Sequence, residues 1–576
     1  MTEPTRVAPP NLEPAALDRW RRRLRIAQGR EPADLVLRGG HVVNVFSGEL
    51  ERLDVAIADG VICALGRSLD GLAIDDVTGA VIAPSFIDAH IHIESSLLWV
   101  PEFARAVVPH GTGAVVTDPH EIANVAGLAG IRAFRDASRD LPLHIRFTVP
   151  SCVPASEHES PGATLDVEEM REALAWPESV GLGEMMNFPG LLAGDAAIFA
   201  KLGAAGSLRR DGHAPGLRGL QAAAYAGAGL HSDHESTSLD EAREKLRAGL
   251  MIMIREGSTE HNLHELLLLV GDATYPRFCF ASDDRDCHTL HERGHVDDIL
   301  RAAITAGLDP LRAIRMATWN AADYWRLDGI GAVAPRYDAN LVVLDDLQGI
   351  RVETTYFQGR VAARRGAFVG AAAASPPPAL FSNTVRVAPV MLRDLALLPD
   401  DAKFAVDVIP GQIVTRVLEV EPTVESGQAV SDPARDLLKL VCVERHAASG
   451  RIGVGYVRGF GLRKGAMAST IAHDAHNIVA VGVDDVDILG AIAAVADSQG
   501  GLAVVAEGRV VRHLPLPIAG LLSDRPLAEV AAGYAELEDA ARSLGCALPS
   551  PFGLLAFMAL SVIPEARVTD RGFLKL

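Results

Sequence analysis

The chain has 576 residues, of which 49% are hydrophobic, so it can form two to four domains with sizeable cores. Its formal net charge of −20 argues against nucleic acid or an anionic membrane as a partner, and no run approaches the roughly 20 apolar residues of a membrane span. Its six cysteines include no C-x-x-C pair, which argues against a zinc ribbon or disulfide scaffold and favours a reducing cytoplasm.

The start of the chain predicts a helix followed by a small β unit. Residues 1–30 are assigned to an N-terminal helix that ends at Gly29. Short β-branched runs between 34 and 62 are broken by glycine and Asp-Gly turns, and a similar set returns at 338–370. About 250 residues separate the two sets, which is the size of a whole domain. We therefore predict one small β-sandwich domain, 31–84 and 333–370, split by an insertion.

The insertion, residues 85–332, alternates strand-like apolar runs with helical stretches. Such alternation predicts a parallel sheet. About eight units in some 250 residues match a (β/α)8 barrel of the TIM type, in which the active site lies at the carboxyl ends of the strands. Residues 371–378 read as a linker, and 380–576 as a third domain of mixed α/β type. The predicted fold class is α/β.

The opening strand of the insertion ends in a His-x-His motif. Residues two apart in a strand point to the same face, so His90 and His92 project together and can clamp a metal. Asp88 shares that face and is predicted to orient one of the histidines.

Further possible ligands follow most of the later strand-like runs. They are His120 and Glu121, Glu184, Asp211 and His213, His231, His234 and Glu235, and Asp283 and Asp284. Four or more histidines with several carboxylates are too many for one tetrahedral zinc. The set suits two divalent metals bridged by a carboxylate, with manganese, iron and zinc all left open.

Several motifs together resemble the bacterial adenine deaminase family of the amidohydrolase superfamily. They are Phe-Ile-Asp-Ala-His-Ile-His-Ile-Glu-Ser-Ser (86–96), Thr-Asp-Pro-His-Glu (117–121), Gly-Glu-Met-Met-Asn (183–187), Asp-Gly-His-Ala-Pro (211–215), Ser-Asp-Asp-Arg (282–285) and a C-terminal Ala-His-Asp-Ala-His-Asn (472–477). The resemblance runs from about residue 15 to the end. One departure is Ala475, where family members often carry serine.

The resemblance implies metal-dependent hydrolytic deamination of adenine to hypoxanthine and ammonia, as part of purine salvage. It implies two metals, typically manganese or iron, held by His90, His92, Glu184, His213, His234 and either Asp283 or Asp284. Glu184 stands where many relatives of the superfamily use a bridging carbamylated lysine. A cytoplasmic homodimer is the family expectation.

The expected mechanism assigns roles to further residues. Glu235 is the predicted acid for the ring nitrogen, and the last-strand aspartate, Asp283 or Asp284, moves the proton of the attacking water to the leaving amine. His120 is a further catalytic candidate. Substrate contacts are expected from Glu121, Ser95, His473 and His476. The last two, together with Asp474, are also open to interpretation as a purely structural polar network.

Other interpretations stay open at this point. A deaminase of a modified purine would share every motif, because pocket side chains set that choice. A cyclic amidase such as a dihydroorotase usually carries the bridging lysine, which Glu184 replaces. An inactive scaffold would have lost ligands. His288, His291 and His295 lie among charged residues and predict a solvated helix face.

Overall fold

The computed structural model describes residues 14–370, 376–409 and 412–576. Of the predicted N-terminal helix, residues 1–13 lie outside the described residues, and Pro14–Ala27 is helical. Gly29 beyond it has φ +69°, the left-handed geometry typical after a helix end. The predicted linker, 371–378, lies mostly outside the described residues. Within the described ranges, no helix is both long and apolar enough to cross a membrane.

The strands on either side of the insertion pair in one nine-stranded sheet. Val81–Pro84 connects the two halves of this sheet, because it pairs with Ala33–Asn44 on one side and with Leu341–Leu344 on the other; it is called the joint strand below. The sequence predicted an antiparallel unit, but two strands run parallel to the first one. The strands are Ala33–Asn44, Glu49–Ala58, Val61–Gly66, Gly71–Asp76, Val81–Pro84, Leu341–Leu344, Val352–Phe357, Arg360–Arg364 and Ala367–Phe368.

Between them, eight parallel strands form a five-stranded and a three-stranded sheet that curl around a common interior. The strands are Phe86–Ile91, Thr112–Thr117, His144–Val149, Ser179–Met185 and Arg209–Gly212, then Ser232–Asp233, Met251–Arg255 and Phe278–Ala281. Backbone hydrogen bonds join the sheets at both gaps: His231 N donates to Arg210 O at 3.0 Å, and Asp283 N donates to His90 O at 3.0 Å. Because the strands within each sheet are parallel, the carboxyl ends of the five strands lie along one edge of their sheet, and those of the three strands lie along one edge of theirs.

Helices follow these strands and cover the outside of the curled sheets. They are Val100–Val107, His120–Ala137, Val167–Leu174, Phe188–Ala193, Ala196–Ala204, Gly219–Gly227, Leu239–Arg247, Leu263–Leu266, Cys287–Glu292, Val296–Thr305, Pro310–Met316 and Trp319–Trp325. Short 3-10 turns lie at Ile93–Ser96, Val108–His110, Leu267–Leu269 and Tyr275–Arg277.

The C-terminal part is built on an eight-stranded sheet. In spatial order its strands are Thr415–Glu419, Phe404–Val408, Ile452–Arg458, Leu437–Val443, Ile478–Gly482, Ala466–Ser469, Gly501–Ala506 and Arg509–Pro515. Three helices accompany this sheet: Asp485–Asp497, Leu527–Ser543 and Pro551–Ala556. Two hairpins pair Thr423–Glu425 with Gln428–Val430 and Ala566–Thr569 with Gly572–Lys575. Short 3-10 turns lie at Ala379–Phe381, Leu392–Leu395, Pro433–Arg435 and Phe557–Ala559.

The central strand Leu437–Val443 explains how this sheet is placed. All seven of its residues are buried, as expected of a strand covered on both faces. Its one charged residue, Lys439, donates to Asp485 Oδ1 at 2.6 Å. On one side the sheet is covered by helix Asp485–Asp497, whose cap Asp484 accepts hydrogen bonds from the backbone N–H groups of Val486 and Asp487.

Candidate active site

The His-x-His pair lies at the carboxyl end of Phe86–Ile91, and both side chains are buried. His90 Nδ1 lies 2.7 Å from Asp211 Oδ2, and His92 Nδ1 lies 2.8 Å from the backbone oxygen of Asp118. Each partner can only accept, so each Nδ1 carries the proton and each Nε2 presents a lone pair. The two Nε2 atoms face each other at 3.2 Å, a contact that a proton or a metal ion between the two lone pairs would relieve.

Glu184 lies beside this pair, at the end of strand Ser179–Met185. Its Oε1 is 3.2 Å from His92 Nε2 and 4.0 Å from His90 Nε2. Its Oε2 is 2.5 Å from His213 Nδ1 and 3.2 Å from His234 Nε2. One carboxylate therefore faces two histidine pairs, one with each oxygen.

The structure separates the two adjacent aspartates after the last strand. Asp283 Oδ1 lies 3.5 Å from His90 Nε2 and 3.2 Å from His92 Nε2. The Asp284 carboxylate instead accepts a hydrogen bond from Ser95. Asp283 therefore lies among the histidines, whereas Asp284 lies beside them.

These donors fit a divalent metal. Metal–ligand bonds of about 2.1 Å in a tetrahedral arrangement separate neighbouring ligand atoms by about 3.4 Å, close to the 3.2–4.0 Å separations around His90 and His92. Around Glu184, three buried groups have ligand atoms that lie within 4.8 Å of one another. They are His90 with His92 and Glu184, His90 with His234 and Asp283, and Glu184 with His213 and His234. Neither ring nitrogen of His234 has a hydrogen-bond partner, so Nε2 is available to bind a metal.

Arg255 is a site residue that the sequence did not suggest. It is the last residue of strand Met251–Arg255, where it is the one charged residue after an apolar run. Its Nη1 donates to Asp283 Oδ2 at 2.8 Å and also contacts Glu235 Oε1. A buried guanidinium thus holds the two carboxylates that the sequence assigned to proton transfer.

The surroundings of the site shift the pKa values of its carboxyl groups in opposite directions. Burial would raise the pKa of Glu184, but His213 and the other facing histidines hold that pKa well below its ordinary value. Burial raises the pKa of Glu260 to about 7, against the opposing effect of Arg255. A buried carboxyl that titrates near neutral pH in a catalytic cleft is a candidate proton carrier, and sequence motifs gave no sign of Glu260.

A second cluster joins the helix start after Thr112–Thr117 to the C-terminal motif. Glu121 Oε1 lies 2.5 Å from His473 Nδ1 and 3.2 Å from His120 Nε2, and Glu121 Oε2 contacts His476 Nε2. Asp474 Oδ1 lies 3.8 Å from His120 Nε2. Burial raises the pKa of the Asp474 carboxyl to about 6.

Both clusters border one cavity. His120, Glu121, His473 and Glu235 line it, whereas His476 lies behind Glu121 and is not among the described residues of its wall. A neighbouring cavity of about 540 Å³ contains Ser95 in its wall. The two share Asp284, His473 and Phe557, and the last two stack with ring centroids 4.5 Å apart.

Two predictions about individual residues were wrong. Asp88 does not orient a metal-facing ring nitrogen; it accepts hydrogen bonds from the backbone N–H and hydroxyl of Ser282, and Asp211 takes the predicted role for His90. His295 is not on a solvated face, because it is fully buried and its Nε2 lies 3.0 Å from Asp88 Oδ2. Pairs of this kind join residues about 200 positions apart, which local sequence patterns do not reveal.

Comparison with known proteins matches both parts of the chain. Residues 81–391 match the amidohydrolase family, and residues 412–576 match the adenine deaminase C-terminal domain. An adenine deaminase of Dehalococcoides mccartyi is 47% identical over 95% of this chain and 96% of its own length. Those of Oleidesulfovibrio alaskensis and Desulfatibacillum aliphaticivorans are 46% and 44% identical, each over 95% of this chain and 95% and 96% of their own lengths. The chain therefore belongs to the adenine deaminase family, within the amidohydrolases.

Proposed function

We propose that this protein hydrolyses adenine to hypoxanthine and ammonia with the help of divalent metal, and so serves purine salvage. The relatives that carry this name match almost the whole chain. The observation that carries the proposal is the set of inward-facing lone pairs on His90 and His92 beside Glu184, all buried next to a closed cavity.

We propose two metals, manganese or iron with zinc as a further option, bridged by Glu184. One would be held by His90, His92 and Asp283, and the other by His213 and His234. A divalent metal held by these residues would lower the pKa of water and so supply a nucleophile at neutral pH. Asp283 is preferred over Asp284 as a ligand because of its distances to the two histidines.

Proton movements are assigned to the protein's own carboxyl groups. Asp283 takes one proton of the attacking water and passes it to the departing amino group. Glu235 protonates the ring nitrogen next to the carbon under attack, and it regains a proton from the new hydroxyl on that carbon when the carbonyl of hypoxanthine forms. Arg255 keeps the two carboxylates in fixed positions, so each proton is exchanged at a defined atom.

Other assignments that follow from the family stay predictions. They are catalysis by His120 and substrate contacts by Glu121, His473, His476 and Ser95. The position of His476 behind Glu121 favours positioning of that carboxylate over contact with substrate. Asp284, hydrogen-bonded to Ser95, faces both cavities and is proposed to border the substrate's path.

We further propose that the curled sheets close as a (β/α)8 barrel, residues 85–332, inserted into a split β-sandwich, 31–84 and 333–370, with a C-terminal α/β domain at 380–576. Backbone hydrogen bonds across both gaps support the closure. Six free cysteines support a reducing cytoplasm. The expected homodimer would show in sedimentation analysis.

A deaminase acting on a modified purine is the main alternative, and the residues bordering the cavity would then select a different ring substituent. A cyclic amidase is less well supported, because Glu184 stands where such enzymes usually carry a lysine. Both alternatives keep the metals and change only the substrate.

The decisive measurement is ammonia release from adenine by the purified protein, after chelation and re-addition of Mn²⁺ or Fe²⁺. We expect release only with metal present, and its loss in Glu184→Gln, which removes the charge that faces both histidine pairs. Adenosine, cytosine and dihydroorotate serve as comparison substrates. A protein fully loaded with metal that leaves adenine untouched would reject the assignment and direct the search to modified purines.

A further inference from the structure

The second cluster has the composition of a metal site, and the proposed pair at Glu184 does not account for it. His120, Glu121, His473 and Asp474 are all buried, and one ligand atom from each lies within 4.8 Å of every other. The distances from His120 Nε2, 3.2 Å to Glu121 Oε1 and 3.8 Å to Asp474 Oδ1, lie on either side of the value of about 3.4 Å for neighbouring ligands around a tetrahedral metal. His473 Nδ1 and Glu121 Oε1 are hydrogen-bonded at 2.5 Å, a separation that metal binding would lengthen.

Asp474 supplies a second, independent observation that points to a cation. Its side chain is 1% exposed, and neither carboxylate oxygen has a hydrogen-bond partner. A buried carboxylate without a partner is costly, and such groups are normally paired or bound to metal. In the part of the chain that the structure describes, no lysine or arginine forms an ion pair with Asp474 or Glu121.

The neighbours orient the remaining donors toward the same point. The backbone N–H of Ala472 donates to His476 Nδ1 at 3.2 Å, so the proton of His476 is on Nε2, where it meets Glu121 Oε2. The other oxygen, Oε1, is left to face His120 and His473. A histidine that holds a ligating carboxylate in this way is typical of metal sites.

We propose that His120, Glu121, His473 and Asp474 hold a divalent cation of their own, distinct from the pair at Glu184. Two ligands come from residues 120–121 and two from residues 473–474, so the cation joins the hydrolase domain to the C-terminal domain at the wall of the substrate cavity. Four protein donors fill a tetrahedral shell, as in structural rather than catalytic zinc sites. His120, Glu121 and His473 would then act as ligands in place of the catalytic and substrate-contact roles predicted for them above. His120 Nδ1 lies 3.5 Å from Glu184 Oε1, so the new site and the proposed pair share a border.

Metal content per chain tests this inference. The full-length protein is stripped with chelator, reloaded with Zn²⁺ or Mn²⁺, freed of excess metal and analysed by mass spectrometry. We expect three equivalents per chain in the wild type and two in Asp474→Asn. Asp497→Asn, an exposed carboxylate in the same domain, is the matched control and should keep three. Two equivalents in the wild type, or an unchanged three in Asp474→Asn, would overturn the inference.

An anomalous difference map of wild-type crystals at the metal edge locates the cation without relying on any variant. A peak within bonding distance of Asp474 and His120 is expected, and its absence in metal-loaded crystals would reject the site even if Asp474→Asn fails to fold. The inference rests on the proposed function only for the count of two metals at Glu184. Three metal equivalents without turnover of adenine would support the third cation site and reject adenine as the substrate. Turnover of adenine with only two metal equivalents would support the substrate and reject the third cation site.

Discussion

Single side chains fix which nitrogen of each histidine is free in this site. The Asp211 carboxylate accepts a hydrogen bond from His90 Nδ1, and the backbone carbonyl of Asp118 accepts one from His92 Nδ1. Asp211 is itself anchored, because Ser232 donates its hydroxyl to it, and so does the backbone N–H of Gly212 at 3.0 Å. The lone pairs thus face inward before any metal arrives, which reduces the rearrangement that binding requires.

Asp211→Asn tests this orientation. The amide keeps the shape of the carboxylate but removes the charge that makes His90 a stronger ligand. We expect metal affinity or deaminase activity to fall about 10–100-fold. Titration of the stripped protein with metal, followed by assay at each concentration, measures both.

Asp272→Asn is the matched control, since that carboxylate is exposed and pairs only with Arg312 among the described residues. Both quantities should stay unchanged there. Equal metal affinity and activity in Asp211→Asn and wild type would show that His90 is oriented by its packing alone.

At the level of the strand, Gly183 sets how closely Ser179–Met185 approaches its neighbour. A Cβ at Gly183 would lie 2.2 Å from Asp118 Oδ2, the atom that accepts the backbone N–H of Glu184 at 2.9 Å. The glycine therefore allows the hydrogen bond that places Glu184 in the site.

Gly183→Ala should consequently destabilise the protein and displace Glu184. Overpacking of this kind costs about 1–3 kcal/mol. We expect a lower midpoint in urea unfolding together with reduced metal content. In Gly203→Ala, by contrast, the new methyl meets nothing within 4 Å on helix Ala196–Ala204, and stability should rise by up to about 1 kcal/mol. A Gly183→Ala protein as stable as Gly203→Ala would disprove the close approach.

The alternation of apolar runs and helices in the sequence correctly indicated parallel strands, because that pattern is local. The strand Ser232–Asp233 is short because Gly229, with φ +99°, is still part of the turn before it. The contribution of Arg255 and the pairing of His295 with Asp88 depend on which strands become neighbours, and composition carries no trace of that. The C-terminal histidines likewise came from a motif, whereas their contact with Glu121 required the assembled chain.

Across the whole molecule, the C-terminal domain contacts the loop around Ser160 as well as the cluster at Glu121. Asp570 accepts hydrogen bonds from Ser160 N at 3.1 Å and Ser160 Oγ at 2.6 Å, and Asn477 donates to Ser160 O at 3.1 Å. Asn477 directly follows the C-terminal histidine motif, so this loop and the cavity wall are held by the same segment.

Asp570→Ala should loosen this junction. Two hydrogen bonds to a buried carboxylate are lost, which leaves the Ser160 groups unpaired at a cost of about 1–3 kcal/mol. We expect faster amide exchange around Ser160 and residues 473–477, with little change in the distant nine-stranded sheet. Asp524→Ala, at an exposed position of the same domain, should leave exchange as in the wild type. Exchange that rises uniformly over the chain would indicate general destabilisation rather than an opened junction.

The joint strand Val81–Pro84 has a consequence for synthesis on the ribosome. One of its edges is completed only by Leu341–Leu344, about 250 residues later. At 5–20 residues per second, that edge waits roughly 10–50 s for its partner. During this interval a buried apolar strand presents unpaired backbone groups, the arrangement most prone to aggregation. We therefore expect the inserted domain or a chaperone to shield this edge until the second half of the sheet emerges.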